Sequence, residues 1–250
     1  MPALNFLALA LAALAVTLSA PAPAAEVKVA VAANFTEAAN EIGALFAKAS
    51  GHKVVYSFGA SGQLYAQIAQ AAPYEVFLSA DRDRPAQAIA AGLAVPGSRF
   101  TYATGRLALF SIDPDKVRGE ATLRQGRFAK LAIADPAAAP YGAAAIETMQ
   151  KLGVYEALRG KIVQGANIAQ TYQFVATGNA EVGLVALSQV TEAGKGSRWI
   201  VPEELHTVIA QDAVLLKTGA GNPAARAYLT FLKGPEAAAV KDRFGYGAGD

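Results

Sequence analysis

From Glu26 onward the chain alternates between two apolar periods. The run EVKVAVA (Glu26–Ala32) places valine at every second position and reads as a strand. Residues 36–49 put Ile42, Leu45, Phe46 and Ala49 on one helical face. VVYSF (residues 54–58) reads as a strand, a helix follows from Gln63, and VFLSA (residues 76–80) is a third strand. This βαβαβ order predicts a parallel sheet flanked by helices.

A second series follows a looser stretch. RLALFSI (residues 106–112), KLAIAD (residues 130–135), KIVQGA (residues 161–166) and EVGLVAL (residues 181–187) read as strands. Helical patterns cover residues 143–152 and Ile168–Ala176. TVIAQDAVLLK (residues 207–217) is one long β-rich run, and helices over Pro223–Leu232 and Pro235–Arg243 close the chain. The order suits two α/β lobes, with crossings near residues 102–106 and 211–214. Periodicity alone leaves one continuous doubly wound domain equally open.

Composition narrows the setting. A chain of 250 residues with 53% hydrophobic residues can build one large or two modest cores. A net charge of +2, with no clustered Lys or Arg, gives no nucleic-acid footprint. The absence of cysteine excludes disulfides, thiol nucleophiles and lipid attachment at a cysteine. Residues 1–25 carry no Asp, Glu, Lys or Arg, and LNFLALALAALAVTLSA precedes PAPAA. This predicts a signal peptide cut after Ala24 or Ala25, with a membrane anchor as the alternative. The expected product is a soluble periplasmic protein.

Four turns carry the candidate chemistry. Asn34 follows VAVAA, Ser61 follows VVYSFGA, Tyr141 follows LAIADPAAAP, and Ile168 follows KIVQGAN. Each lies past a strand's carboxyl end, where open α/β sheets bind ligands. Capping accounts for Asn or Ser at any one of them. As a set, helix starts offer unpaired N–H groups and partial positive charge, which suits an anion. The Ser61 and Tyr141 hydroxyls and the Asn34 amide add donors.

Enzyme readings fare worse. GASGQ departs from the G-x-S-x-G elbow at Gln63, and the two histidines, His52 and His206, fall in turn-like polar sequence expected at the surface. ADRDRP (residues 80–85) reads as a solvated, self-neutralising loop opening a helix. No His/Asp/Glu cluster has metal-ligand spacing, and no Walker or Rossmann glycine pattern is present.

Taken together, VAVAANFTEA, FGASGQLYAQI, VFLSADRDRP, ADPAAAPYGAAA, NIAQTYQFVATGNAEVGLVALSQV and YLTFLKGPEAA closely resemble the periplasmic molybdate-binding proteins of ABC importers. The likeness runs in order across nearly all of the chain after the leader. It implies the type II periplasmic binding protein fold, two α/β lobes around a cleft with two hinge crossovers. It places residues 26–104 and 213–250 in the first lobe and 105–212 in the second.

The resemblance also implies a ligand set. Asn34 stands where many members have serine, Ser61 matches the serine of the FxxS turn, and Ile168 matches a donor of backbone N–H. Many members carry a tyrosine where this chain has Ala186. Tyr141, at a position that elsewhere offers only backbone N–H, is expected to restore that phenol. The implied ligand is molybdate or tungstate, with no cofactor and no direct metal-ion ligand. The implied partners are an inner-membrane permease and its cytoplasmic ATPase, and the implied state is a monomer without enzymatic activity. Sulfate or another tetrahedral oxyanion, and an exported serine hydrolase using Ser61, are the alternatives.

Overall fold

The computed structural model of the protein describes residues 24–191, 194 and 196–249. The expected leader lies almost wholly outside the described residues. The first series is β1 (Glu26–Ala32), α1 (Thr36–Ser50), β2 (Lys53–Gly59), α2 (Ser61–Ala69), β3 (Val76–Leu78), α3 (Asp83–Ala90) and β4 (Phe100–Gly105). The second begins with β5 (Leu107–Ser111), α4 (Ala121–Gln125), β6 (Leu131–Ala134), α5 (Pro140–Lys151) and α6 (Tyr155–Leu158). It continues with β7 (Ile162–Gly165), α7 (Ile168–Ala176), β8 (Val182–Ala186) and β9 (Ser197–Ile200). β10 (Ile209–Leu215), α8 (Pro223–Leu232) and α9 (Pro235–Arg243) close the chain.

The strands form two sheets, ordered β2-β1-β3-β10-β4 and β7-β6-β8-β5-β9. β1 is parallel to β2 and β3, and β6 is parallel to β7 and β8. The parallel arrangement expected of β1, β2 and β3 holds, while each sheet as a whole is mixed. β10 runs antiparallel to β3 and β4, and β5 antiparallel to β8 and β9. The chain leaves one sheet at the end of β4 and enters the other at β5, with only Arg106 between them. β10 returns and pairs with β4 from Ile209 opposite Gly105. The return thus begins before residue 213, because the apolar run through residues 207–217 carries no break to mark it.

Burial follows position in the sheets. Val27, Val29 and Val31 of β1 are fully buried, as is Ala30 on the opposite face. A strand covered on both sides needs apolar residues at consecutive positions. β2 lies at the edge, and its residues are mostly half-exposed. The first core centres on Phe35, Phe46, Tyr102 and Tyr228. The Phe35 ring meets Tyr102 and Tyr246 edge-on at 4.9 and 5.1 Å. Another apolar cluster joins the lobes, bringing Ala33, Ala60 and Ala80 together with Tyr141, Ile168 and Ala186.

Two surface expectations change. His206 is buried, with Nδ1 2.8 Å from the Thr207 carbonyl oxygen. ADRDRP is a partly buried knot: Arg84 pairs with Asp81, and Arg82 donates to Thr101 Oγ1 at 2.8 Å.

Candidate oxyanion site

Ser61 is the first residue of α2, and its preceding residue Ala60 supplies no side-chain cap. The Ala80 backbone N–H donates to Ser61 Oγ at 2.9 Å. A hydroxyl has one proton to give, and here its oxygen already accepts from a fixed donor. The Ser61 proton is thereby left for a partner at the helix start. Ser61 is 1% exposed, so that partner is shielded from bulk water.

Tyr141 stands one residue into α5, behind Pro140 at the first helical position. Gln211 Nε2 donates to its phenol oxygen at 3.4 Å. Burial, the largest influence, pushes the phenol well above its ordinary range, and neighbouring Tyr246 adds to the rise. The hydrogen bond from Gln211 opposes that rise in part. The group remains a neutral O–H donor.

Asn34 sits in the short 3-10 turn after β1. Its amide already has partners within the protein. Nδ2 donates to Gln211 Oε1 at 2.9 Å and to the Tyr246 hydroxyl at 3.2 Å. Tyr246 OH in turn donates to the Asn34 carbonyl oxygen at 2.6 Å. Among the described residues, Asn34 Oδ1 is buried without a hydrogen-bond partner.

Ile168 opens α7 and is 4% exposed. Asn167 caps that helix by accepting from Gln170 N–H at 3.0 Å, which leaves the earliest N–H groups of the helix for another acceptor. The Ile168 side chain packs in the inter-lobe apolar cluster with Tyr141 and Ala60.

The lobes meet around these four turns. Gly62 N–H donates to Ala138 O at 2.9 Å, Arg84 Nη2 to Ala137 O at 3.1 Å, and Ser188 Oγ to Asn34 O at 2.9 Å. Cavities of about 330 and 430 Å³ adjoin the centre, one lined by Ala80, Arg84 and Pro140, the other by Asn34, Ser188 and Gln189. Sequence reasoning missed Gln211, Tyr246 and Gly105, which support the centre. The one sequence signal was the polar pair Gln211-Asp212 inside an apolar β-run.

Two mixed α/β sheets joined by two chain crossings, from β4 to β5 and back at β10, with helix starts from both at the contact, define a two-lobed binding protein of the type II periplasmic class. The sequence matches the family described as bacterial extracellular solute-binding protein over residues 27–247, and the chain belongs to that family. It is 59% identical to the molybdate-binding protein ModA of Rhodobacter capsulatus over 216 residues, 86% of each chain. It is 52% identical to ModA of Azotobacter vinelandii over 87% of this chain and 88% of the relative. A solved periplasmic molybdate-binding protein of Azotobacter vinelandii superposes with a TM-score of 0.85 at 38% identity, covering 88% of this chain and 98% of that one.

Proposed function

We propose that the protein captures molybdate, and tungstate with it, between its lobes in the periplasm and delivers it to an ABC permease driven by a cytoplasmic ATPase. The observation that carries this reading is the state of the two hydroxyls. Ser61 and Tyr141 each accept a hydrogen bond from a fixed protein donor, so each must offer its proton elsewhere. A dehydrated dianion needs such donors to replace lost water, and helix starts add partial positive charge. The helix start at Ile168 offers backbone N–H from the second lobe. Asn34 can turn to the anion the N–H that it shares with Tyr246, its longer contact. Tyr141 replaces the phenol absent at Ala186, since both residues line one inter-lobe cluster.

This reading needs no cofactor, no catalytic group and no second copy of the chain. Closure around the anion would create the surface that the permease recognises. The buried, unpartnered Asn34 Oδ1 favours a second reading, in which the anion carries a proton to donate, as hydrogen phosphate does.

Titration calorimetry with molybdate, tungstate, sulfate and phosphate tests the choice. Molybdate and tungstate are expected to bind tightly and the other two weakly. Equal or tighter binding of sulfate or phosphate would overturn the assignment. Ser61→Ala should weaken molybdate binding about 10- to 100-fold, the loss of one donor to a buried charge.

A further inference from the structure

Gln211 lies on β10 at a break in register. Gln211 pairs with Ala103 and Asp212 with Thr101, so Tyr102 of β4 is the extra residue of a bulge. A bulge re-aims side chains and is found beside functional sites more often than chance allows. Here it brings Tyr102 OH to Gln211 Oε1 at 3.0 Å. The same oxygen accepts from Asn34 Nδ2 at 2.9 Å. Asn34 Nδ2 and the Tyr102 hydroxyl thus converge on one end of the amide. The other end, Nε2, therefore faces Tyr141 and donates to its phenol oxygen.

Gly105 makes room for this pairing. A Cβ built there would lie 2.2 Å from the Tyr141 hydroxyl and 2.5 Å from Gln211 Nε2. The two groups meet against bare backbone at the point where β4 hands the chain to the second lobe. Gln211 itself is fully buried.

We propose that Gln211 is a positioning residue for anion capture: it donates to the Tyr141 oxygen, so that the Tyr141 proton points into the cleft, while its own oxygen holds Asn34. One amide thus orients a donor from each lobe, and it does so from a strand beside the hinge. The inference rests on the oxyanion-binding function proposed above and adds a residue that need not touch the anion. The pattern repeats what the Ala80 N–H does for Ser61, with a side chain in place of backbone.

The test replaces the amide by groups of similar size with different donors. Gln211→Leu removes both bonds and should weaken molybdate about 10- to 100-fold. Gln211→Glu is more diagnostic. As a carboxylate it only accepts, so it draws the Tyr141 proton away from the cleft and repels the anion. As a neutral acid it can donate to Tyr141 and restore the arrangement.

The groups facing this position are the phenols of Tyr102, Tyr141 and Tyr246, with Asp81 and Asp212 acting on Tyr102. Asp212 is itself paired with Arg82 and Arg99 at 3.6 Å each. Burial among phenols raises a carboxyl, in documented cases to about 8–9. A bound dianion favours the neutral form further, so binding by the variant takes up a proton. Molybdate titrations from about pH 9 down to about pH 6 should therefore show Gln211→Glu recovering at least about tenfold in affinity. The unaltered protein should stay nearly constant over that range.

Melting of the ligand-free proteins shows that each variant is folded. Unchanged affinity in both variants, or equal loss in both at every pH, would overturn the positioning role. An unaltered protein that binds none of the four anions would instead overturn the function on which the role rests.

Discussion

The two walls of the cleft are supported differently. On the first wall, Ser61 is held by Ala80 N–H and Asn34 by Gln211 and Tyr246, all from residues on or beside the first sheet. On the second, the Tyr141 phenol takes its bond from Gln211 on β10, a strand of the opposite sheet. The first wall is complete within its own lobe. The second is completed only when the lobes meet. An anion entering an open cleft would therefore find Ser61 oriented first, and Tyr141 would be oriented as the gap closes. Such a division makes closure part of recognition.

Charge placed on the preformed wall should produce the largest effect. Asn34→Asp puts an acceptor-only group beside a dehydrated dianion, and an uncompensated buried charge costs about 3–5 kcal/mol. Molybdate affinity is expected to fall about 1,000-fold in calorimetry. A loss below about tenfold would show that Asn34 stands away from the anion, and the first wall would then reduce to Ser61.

A smaller change should separate closure from construction. Gly62 lies in the first turn of α2, and an added Cβ would sit 2.9 Å from Arg84 Nη2 and 3.2 Å from Ala138 Cα across the gap. The arginine end can swing aside, whereas the opposing backbone cannot move without opening the lobes. Alanine also suits a helix better than glycine by about 1 kcal/mol. Gly62→Ala should therefore melt no lower than the parent yet release molybdate about tenfold faster in stopped-flow measurements. A lower melting temperature with an unchanged release rate would place its role in the first lobe and not in closure.

The contrast between the walls also marks what could be read in advance. Helices α7, α8 and α9 have the bounds that the sequence predicts; α7 and α8 bury an apolar face, whereas α9 buries only Ala237 and Val240. β4 carries no strand signal of its own, because FTYATG mixes aromatic, threonine and glycine residues without sustained alternation. α3 opens within the charged run ADRDRP, as that run suggests, and Arg84 and Asp81 neutralise each other there, but in a partly buried knot in place of a solvated loop. Ser61 and Ile168 could be placed at helix starts from local sequence alone. The supports were invisible, because Gln211 and Tyr246 reach Asn34 from 177 and 212 residues away. Local pattern specifies where a backbone turns, but tertiary pairing decides which proton a hydroxyl there has left to give.

The smallest expected effect lies on the second lobe, away from the cleft. Glu181 accepts from Ala129 N–H at 2.9 Å and Lys130 N–H at 2.8 Å, tying the approach to β6 against the start of β8. The Ala129 bond is the largest influence on this carboxyl and, with the Lys130 bond, holds it below its ordinary range. A carboxyl lowered on folding adds stability above its unfolded pKa. That contribution disappears as pH falls through the lower, folded value. The group is only partly buried, so solvent screening keeps the contribution small. Glu181→Gln should lower the melting temperature at neutral pH by no more than about 2–4 °C, and parent and variant should converge in acid. Molybdate affinity should remain at the parent value, because neither wall depends on this contact. A fall in affinity without a fall in melting temperature would mean that the second lobe's frame orients Tyr141 as directly as Gln211 does.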